Sequence, residues 1–130
     1  MRNTSKERLD AIFSEFIRLR DADDRGFIRC ISCDKIVHWK QSDCGHYISR
    51  KHNSLRYDEI NCNAQCVECN RMKDGNDKNY RIGLIKKYGI ECVESIEIKK
   101  HSTCKMGKSE INTLVIQYKN KLSEIKKRNL

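Results

Sequence analysis

The chain has 130 residues, of which 38% are hydrophobic and 35% charged, so it has room for one domain with a thin core. Its formal net charge of +9 indicates a polyanionic partner, nucleic acid first. No apolar run approaches the ~18 residues of a membrane span, and residues 1–13 lack the apolar core of a secretion signal. We therefore expect a cytosolic protein with no membrane partner.

The first predicted element is an amphipathic helix. Thr4 and Glu7 match a capping box, and the apolar residues behind them share one helical face: Leu9, Ile12, Phe13, Phe16 and Ile17. The polar run 20–26 ends this helix. The next two apolar segments, 27–29 and 36–39, flank a pair of cysteines and predict a short hairpin with a metal at its turn.

The remainder of the chain is predicted as loop followed by helices. Residues 40–60 show no clear period and are predicted to have little regular structure. A helical pattern resumes near Cys66 and stops at the turn signal 74–76. A helix over about 78–88 ends at Gly89, and a short segment spans about 91–100. The last helix opens near Ser109, and core packing or a helix-mediated dimer explains its apolar face: Ile111, Leu114, Val115, Tyr118, Leu122 and Ile125.

Eight cysteines are many for a chain of this length. In a reducing compartment, paired cysteines are more often metal ligands than disulfides. Cys30 and Cys33 form one C-x-x-C pair, and Cys66 and Cys69 form another. Two such pairs complete a closed tetrahedral thiolate shell, which predicts a structural zinc. A redox C-x-x-C would need a βαβ context that the sequence lacks.

The other four cysteines have no paired spacing: Cys44, Cys62, Cys92 and Cys104. We interpret them as small buried hydrophobes or surface thiols, with a second zinc site as the alternative.

The insert of 32 residues between the two pairs is longer than the ~15–20 of a plain zinc ribbon. It contains Asp43 and His46, and Asn70 directly follows the last cysteine of the second pair. Phosphodiester hydrolysis needs an activated water and a Lewis acid on the phosphate. A histidine suits the first task, and carboxylate and amide oxygens suit Mg²⁺. On these residues alone, a structural role for the histidine stays the alternative.

Positive charge surrounds this proposed site and also gathers at the end of the chain. Five basic residues flank the site and predict phosphate contacts, against the alternative of a solvated surface: Arg50, Lys51, Arg56, Arg71 and Lys73. Residues 99–130 carry a net charge of +7. We interpret this basic tail as a further phosphate-binding surface, with a solvated helix face as the alternative.

Several motifs together resemble one protein family. They are the two cysteine pairs, Gly45-His46-Tyr47-Ile48-Ser49-Arg50, Arg56-Tyr57-Asp58, Asn61, Gln65, Asn70-Arg71, Gly75-Asn76, Tyr80-Arg81, Gly83-Leu84 and Tyr88-Gly89. In this order and spacing, they resemble the lambdoid phage NinG (Rap) recombination nucleases. The resemblance implies an HNH, or ββα-metal, endonuclease that cuts branched DNA such as Holliday junctions and D-loops. The junction of the second cysteine pair with Asn70 is also similar to the phage endonuclease VII resolvases.

The resemblance implies a role for three residues. His46 matches the general base, Asn61 the middle Asn that braces the histidine-bearing loop, and Asn70 the last metal ligand. Two positions depart from the pattern. Many HNH proteins have an acidic ligand where this chain has Gly45, for which we substitute Asp43, and the family has a histidine where this chain has Asn63.

We therefore predict an α+β domain over residues 1–130. It comprises an N-terminal helix (1–25), a small ββα-metal core with a four-cysteine structural zinc (26–76), and C-terminal helices with a basic tail (77–130). The expected activity is Mg²⁺- or Mn²⁺-dependent, structure-selective DNA cleavage in the bacterial host of a phage or prophage. Because a junction has local two-fold symmetry, we also expect a homodimer. The alternative is a non-catalytic zinc-ribbon protein that binds nucleic acid.

Overall fold

A computed structural model describes residues 5–128. Within that range, helices are combined with two small antiparallel sheets, β1–β2 and β3–β4, so the mixed α and β content matches the prediction. In chain order the elements are α1 (Ser5–Asp21), β1 (Phe27–Arg29), β2 (Ile36–His38), β3 (Ser42–His46), α2 (Asn53–Arg56), β4 (Cys62–Cys66), a π-helical turn (Glu68–Met72), α3 (Asp77–Tyr88), α4 (Ile90–Lys99) and α5 (Lys108–Arg128). The predicted cap Thr4 lies outside the described residues.

The two terminal helices pack against each other and form the larger core. The ring of Phe13 in α1 contacts the ring of Tyr118 in α5 edge to face, with centroids 4.9 Å apart. Both helices bury the apolar face that the sequence predicts: Leu9, Phe13, Phe16, Ile17, Ile111, Val115, Tyr118 and Leu122. This confirms core packing as the role of both faces. Each fully buried leucine or phenylalanine in such a core contributes roughly 1.5–3 kcal/mol.

A second core lies beneath the C-terminal half of the chain. Its buried members are Leu55, Tyr80, Leu84, Val93 and Ile96.

The C-terminal helices lie close to their predicted positions. The helix predicted over about 78–88 begins at residue 77, and the segment near 91–100 is helix α4. The last helix begins one residue before Ser109. None of the helices in the described range is long and apolar enough to cross a membrane.

The predicted hairpin around the first cysteine pair is confirmed. Strands β1 and β2 pair antiparallel, with Ile28 opposite Val37. The backbone N–H of Cys30 donates to Lys35 O at 2.8 Å, and that of Asp34 donates to Cys30 O at 2.9 Å. These bonds close the turn that carries Cys30 and Cys33.

The prediction of little regular structure over residues 40–60 is wrong. Strand β3 and helix α2 both lie in this stretch, and β3 pairs antiparallel with β4, with His46 opposite Cys62. Strand β3 has the sequence Ser-Asp-Cys-Gly-His, which has no alternation of apolar and polar residues. It is stabilised by its ladder with β4 and by contacts with α1, neither of which leaves a local signal. The helical pattern predicted from Cys66 begins only after that residue, because 62–66 is strand.

Candidate functional site

The two cysteine pairs meet in one cluster. The Sγ atoms of Cys30, Cys33, Cys66 and Cys69 all lie within 4.8 Å of one another, and those of Cys33 and Cys66 are 3.7 Å apart. Four sulfurs bound tetrahedrally at the usual Zn–S length of ~2.3 Å would be about 3.8 Å apart. The cluster could therefore bind a zinc ion, as the sequence predicts.

Two of the four sulfurs accept hydrogen bonds from neighbouring N–H groups, and Cys66 is the one whose pKa is lowered, against the opposing effect of burial and chiefly by the backbone N–H of Cys69. The backbone N–H of Cys69 donates to Cys66 Sγ, and Asn76 Nδ2 donates to Cys69 Sγ, each at 3.4 Å. Burial raises the pKa of Cys30 to about 12. A zinc ion bound at the cluster would therefore have to displace the Cys30 proton, which leaves to solvent.

His46 lies at the end of β3 with one ring nitrogen already engaged. Its Nε2 is 2.9 Å from the carbonyl oxygen of Arg56. Because a carbonyl only accepts hydrogen bonds, Nε2 carries the proton, and the lone pair of the neutral ring is on Nδ1. Burial lowers the pKa of His46 below its usual 6.5, and the nearby charges of Arg50 and Arg56 lower this pKa further. The neutral form is therefore favoured at pH 7, as a general base requires.

Asn61 joins the histidine-bearing loop to the segment before β4. It is fully buried, and its Oδ1 accepts from Ile48 N at 2.7 Å. Its Nδ2 donates to Ile48 O and Leu55 O, each at 3.0 Å. These are the contacts that a residue bracing the loop after His46 would make.

Replacing Asn61 with alanine should destabilise the protein measurably. Ile48 N–H and two carbonyls would lose their partners in a buried place, at about 1–3 kcal/mol for an unsatisfied group. We expect chemical denaturation to show a loss of at least about 2 kcal/mol in the free energy of unfolding. The matched control is Asn79→Ala, which removes one exposed side-chain bond, to Asn76. Equal stability of the two variants would contradict this role for Asn61.

One cleft brings together three residues that the sequence proposed for catalysis. This His46 cleft has a volume of about 220 Å³, and polar residues from α1, β3, the following loop, α2 and the π-helical turn contribute to its lining: Asp10, Asp43, His46, Arg50, Arg56, Asn70 and Arg71. Asn70 Nδ2 donates to Asp43 Oδ2 at 2.9 Å. Asn70 Oδ1 is therefore the amide atom left to serve as a ligand.

The carboxylate of Asp43 already has a cationic partner. Arg71 donates to both of its oxygens, at 2.9 Å each. A divalent cation bound by Asp43 would have to share these oxygens with Arg71 or displace it. Because the Arg71 side chain is 66% exposed, its displacement would cost little.

The two departures from the family pattern have different surroundings. A Cβ built on Gly45 would lie 2.1 Å from Gln65 Oε1, and Gln65 is fully buried. An acidic side chain at this position would therefore require Gln65 to move. Asn63 lines a different cavity, of about 470 Å³, where Arg20 and Lys87 donate to its Oδ1. Position 63 thus contributes to that cavity and not to the lining of the His46 cleft.

The five predicted phosphate-binding residues are not equally placed. Arg50, Arg56 and Arg71 line the His46 cleft, whereas Lys51 and Lys73 lie outside its lining. Arg50 is exposed. Arg56 is paired with Asp10, with Arg56 Nη2 and Asp10 Oδ2 2.5 Å apart. We therefore regard the Arg56 side chain as the least available of the three for a phosphate.

Three acidic residues near His46 had no signal in the sequence. Asp10 reaches the cleft from α1, where it pairs with Arg56 and accepts from Tyr57 Oη at 2.6 Å. Asp74 and Asp77 line an adjoining cleft with His46 and Asn70. Burial, together with the charge of Asp74, raises the pKa of Asp77. Because all three depend on tertiary approach, periodicity and spacing could not identify them.

Comparison with known proteins identifies relatives along nearly the whole chain. Residues 2–128 match the family model described as "Bacteriophage Lambda NinG protein". Protein ninG of Salmonella phage P22 is 38% identical over 112 residues, covering 85% of this chain and 52% of the relative. Protein ninG of Escherichia phage lambda is 37% identical over 112 residues, covering 85% and 52%. The chain thus spans about half the length of these curated relatives. No solved structure matches it. On this similarity, the chain belongs to the NinG family.

Proposed function

We propose that this chain is a metal-dependent endonuclease that cuts branched DNA, such as Holliday junctions and D-loops. The observation that carries the proposal is that Asp43, His46 and Asn70 line one cleft, and that Asn70 directly follows a cysteine of the four-cysteine cluster. Two antiparallel strands followed by a helical turn, β3, β4 and 68–72, form the order expected of a small ββα-metal core. His46 ends the first of these strands and Asn70 lies in the turn, and this order supports the proposal.

His46 is the proposed general base. Its Nε2–H is fixed on Arg56 O, which leaves Nδ1 to accept a proton from the attacking water. Asp43 and Asn70 Oδ1 would hold Mg²⁺ or Mn²⁺, which supplies Lewis-acid stabilisation of the phosphate. Asn61 acts as a positioning residue, because it orders the loop that follows His46.

Exposed cations at the cleft would neutralise the DNA backbone. Arg50 and Arg71 are proposed to contact phosphates on either side of the scissile bond. Such contacts are independent of base sequence, which suits an enzyme that recognises the shape of a junction. A junction also needs two incisions at positions related by two-fold symmetry, so we propose that the chain acts as a homodimer.

The direct test is to incubate the zinc-loaded protein with a four-way junction and with a linear duplex of the same sequence. Each substrate is tested with Mg²⁺, with Mn²⁺ and with a chelator. The incubation with chelator is kept brief so that the chelator removes free Mg²⁺ or Mn²⁺ while the four-cysteine cluster keeps its zinc. We expect metal-dependent nicks in the junction arms and little cleavage of the duplex. A protein that retards the junction in a gel but nicks neither substrate would instead be a zinc-ribbon binding protein. The pairing of Arg71 with Asp43 favours that alternative.

DNA binding should weaken steeply with salt. Each neutralised duplex phosphate contributes about −0.9 to the slope of log K against log salt. We expect Arg50→Ala to make this slope shallower by about one unit, as measured by fluorescence anisotropy over a salt series. The matched control is the exposed Arg25, which follows α1 and should leave the slope near the wild-type value when replaced. A wild-type affinity that does not change with salt would exclude a phosphate-binding cleft.

A further inference from the structure

Two cysteines outside the four-cysteine cluster lie beside His46. The Sγ atoms of Cys44 and Cys62 and a ring nitrogen of His46 are all within 4.8 Å of one another. The ladder between β3 and β4 explains this, because Cys62 is opposite His46, while Cys44 is two residues before His46 and shares its strand face. Cys44 and Cys62 do not form a C-x-x-C pair, so their spacing in the sequence does not predict that they meet.

We propose that Cys44, Cys62 and His46 form a second zinc site, and that zinc bound there inhibits the enzyme. Two thiolates and one imidazole with an open fourth position are a ligand set that zinc accepts. Mg²⁺ prefers oxygen ligands, so it would not compete for these sulfurs. Tetrahedral bonds of ~2.3 Å to sulfur and ~2.0 Å to nitrogen place the ligand atoms about 3.5–3.8 Å apart, so the present separations, all within 4.8 Å, must shorten by at most about 1.3 Å.

Burial decides how an ion reaches this site and how tightly it binds. Cys44 is partly exposed and lines the His46 cleft, so it gives an ion access from solvent. Cys62 is fully buried, and burial raises its pKa well above the usual range. Binding must displace the thiol protons, which leave to solvent. With three ligands and this cost, the site should fill only after the four-cysteine cluster is occupied.

The expected consequence is loss of the general base. The neutral imidazole of His46 has one lone pair, so a ring that coordinates zinc through either nitrogen cannot also accept a proton from water. This inhibitory step rests on the proposed nuclease function, whereas the metal site itself does not. Excess zinc would therefore act at the same histidine that Mg²⁺-dependent cleavage requires.

The site is tested first by binding, without any assay of cleavage. Zinc-loaded protein is titrated with Co²⁺, and absorption from thiolate-to-cobalt charge transfer is recorded. We expect the signal in the wild type and in Cys92→Ser, a matched control on α4, and its loss in Cys44→Ala. Exchange of cobalt into the four-cysteine cluster would appear equally in all three proteins. The same absorption in Cys44→Ala as in the wild type, or none in the wild type, would overturn the site.

Inhibition is tested separately by the ratio of cleavage rates with and without added zinc at constant Mg²⁺. We expect zinc beyond one equivalent to inhibit the wild type, and Cys44→Ala to need at least about tenfold more for the same effect. Equal sensitivity would refute the inhibitory role. If the wild type cuts no DNA at all, the proposed function fails, while the cobalt titration still decides whether the site exists.

Discussion

Replacing His46 with alanine should lower the rate of junction cleavage by about 10²–10⁴-fold, the usual contribution of a positioned general base. The variant removes Nδ1, the only ring nitrogen of His46 that is not bound to Arg56 O. Junction affinity should change little, because the cations that would contact phosphate remain. We would measure both quantities, by single-turnover cleavage with Mg²⁺ and by gel retardation of the same junction.

A second histidine provides the control for this substitution. His52 immediately precedes α2, in the same loop region, and its replacement with alanine should leave the rate within a few-fold of the wild type. Thermal melting of both variants would show whether the fold is kept. Cleavage by His46→Ala at the wild-type rate would remove His46 from the mechanism. An equal loss in both variants would indicate a general effect of the loop.

Replacing Cys66 with serine should release the zinc and unfold the structure around it. Cys66 is buried at the end of β4 and contacts both Cys33 and Cys69. Structural zinc sites bind with apparent free energies of about 10–16 kcal/mol, which is comparable to the entire stability of a small domain, about 5–15 kcal/mol. We therefore expect the wild type to hold about one zinc per chain and Cys66→Ser to hold far less. The melting temperature of the variant should also be sharply lower than that of the wild type.

Elemental analysis and circular dichroism would measure the two effects. Cys92→Ser, which removes a thiol of α4, should keep the zinc and melt like the wild type. Chelation of the wild-type protein should reproduce the behaviour of Cys66→Ser. If Cys66→Ser retained zinc and wild-type melting, the four-cysteine cluster would not be a structural metal site.

Features with a local pattern could be predicted from the sequence. The two C-x-x-C pairs predict the cysteine cluster, because each spacing by itself places two sulfurs on one turn. The apolar periods of α1 and α5 predict the packing of their faces, which the contact of Phe13 with Tyr118 confirms. In both cases the signal is a spacing of a few residues, and the chemistry of the side chains, four thiols or two apolar faces, predicts that the distant segments meet.

Features created by tertiary approach could not be predicted. Strand β3 has no apolar alternation, and its pairing with β4 brings together residues about twenty positions apart. The pairing of Asp10 with Arg56 joins α1 to α2 across 46 positions. The helical periodicity of α1 predicts only that Asp10 lies on the polar face of this helix. It does not indicate which other element packs against that face.

The candidate site combines both kinds of information. Motif order predicts His46 and Asn70 as site residues, and both line one cleft, whereas no pattern in the sequence indicates the hydrogen bonds from Arg71 to Asp43. The approach of Cys44 and Cys62 to His46 has no such pattern either. Sequence spacing cannot identify the neighbour of a thiol when that neighbour lies on another strand, as Cys62 of β4 does for Cys44 of β3.

The pH dependence of cleavage tests the role of His46 most directly. Because burial lowers the pKa of His46, the neutral base prevails above that pKa, and activity should be lost as pH falls through it. With DNA below saturation, the profile reports the free enzyme. We predict that the Mg²⁺-dependent rate rises through one ionisation with a midpoint below 6.5, the ordinary value for histidine, and that His46→Ala lacks this step. A rate independent of pH, or the same step in both proteins, would contradict general-base catalysis by His46.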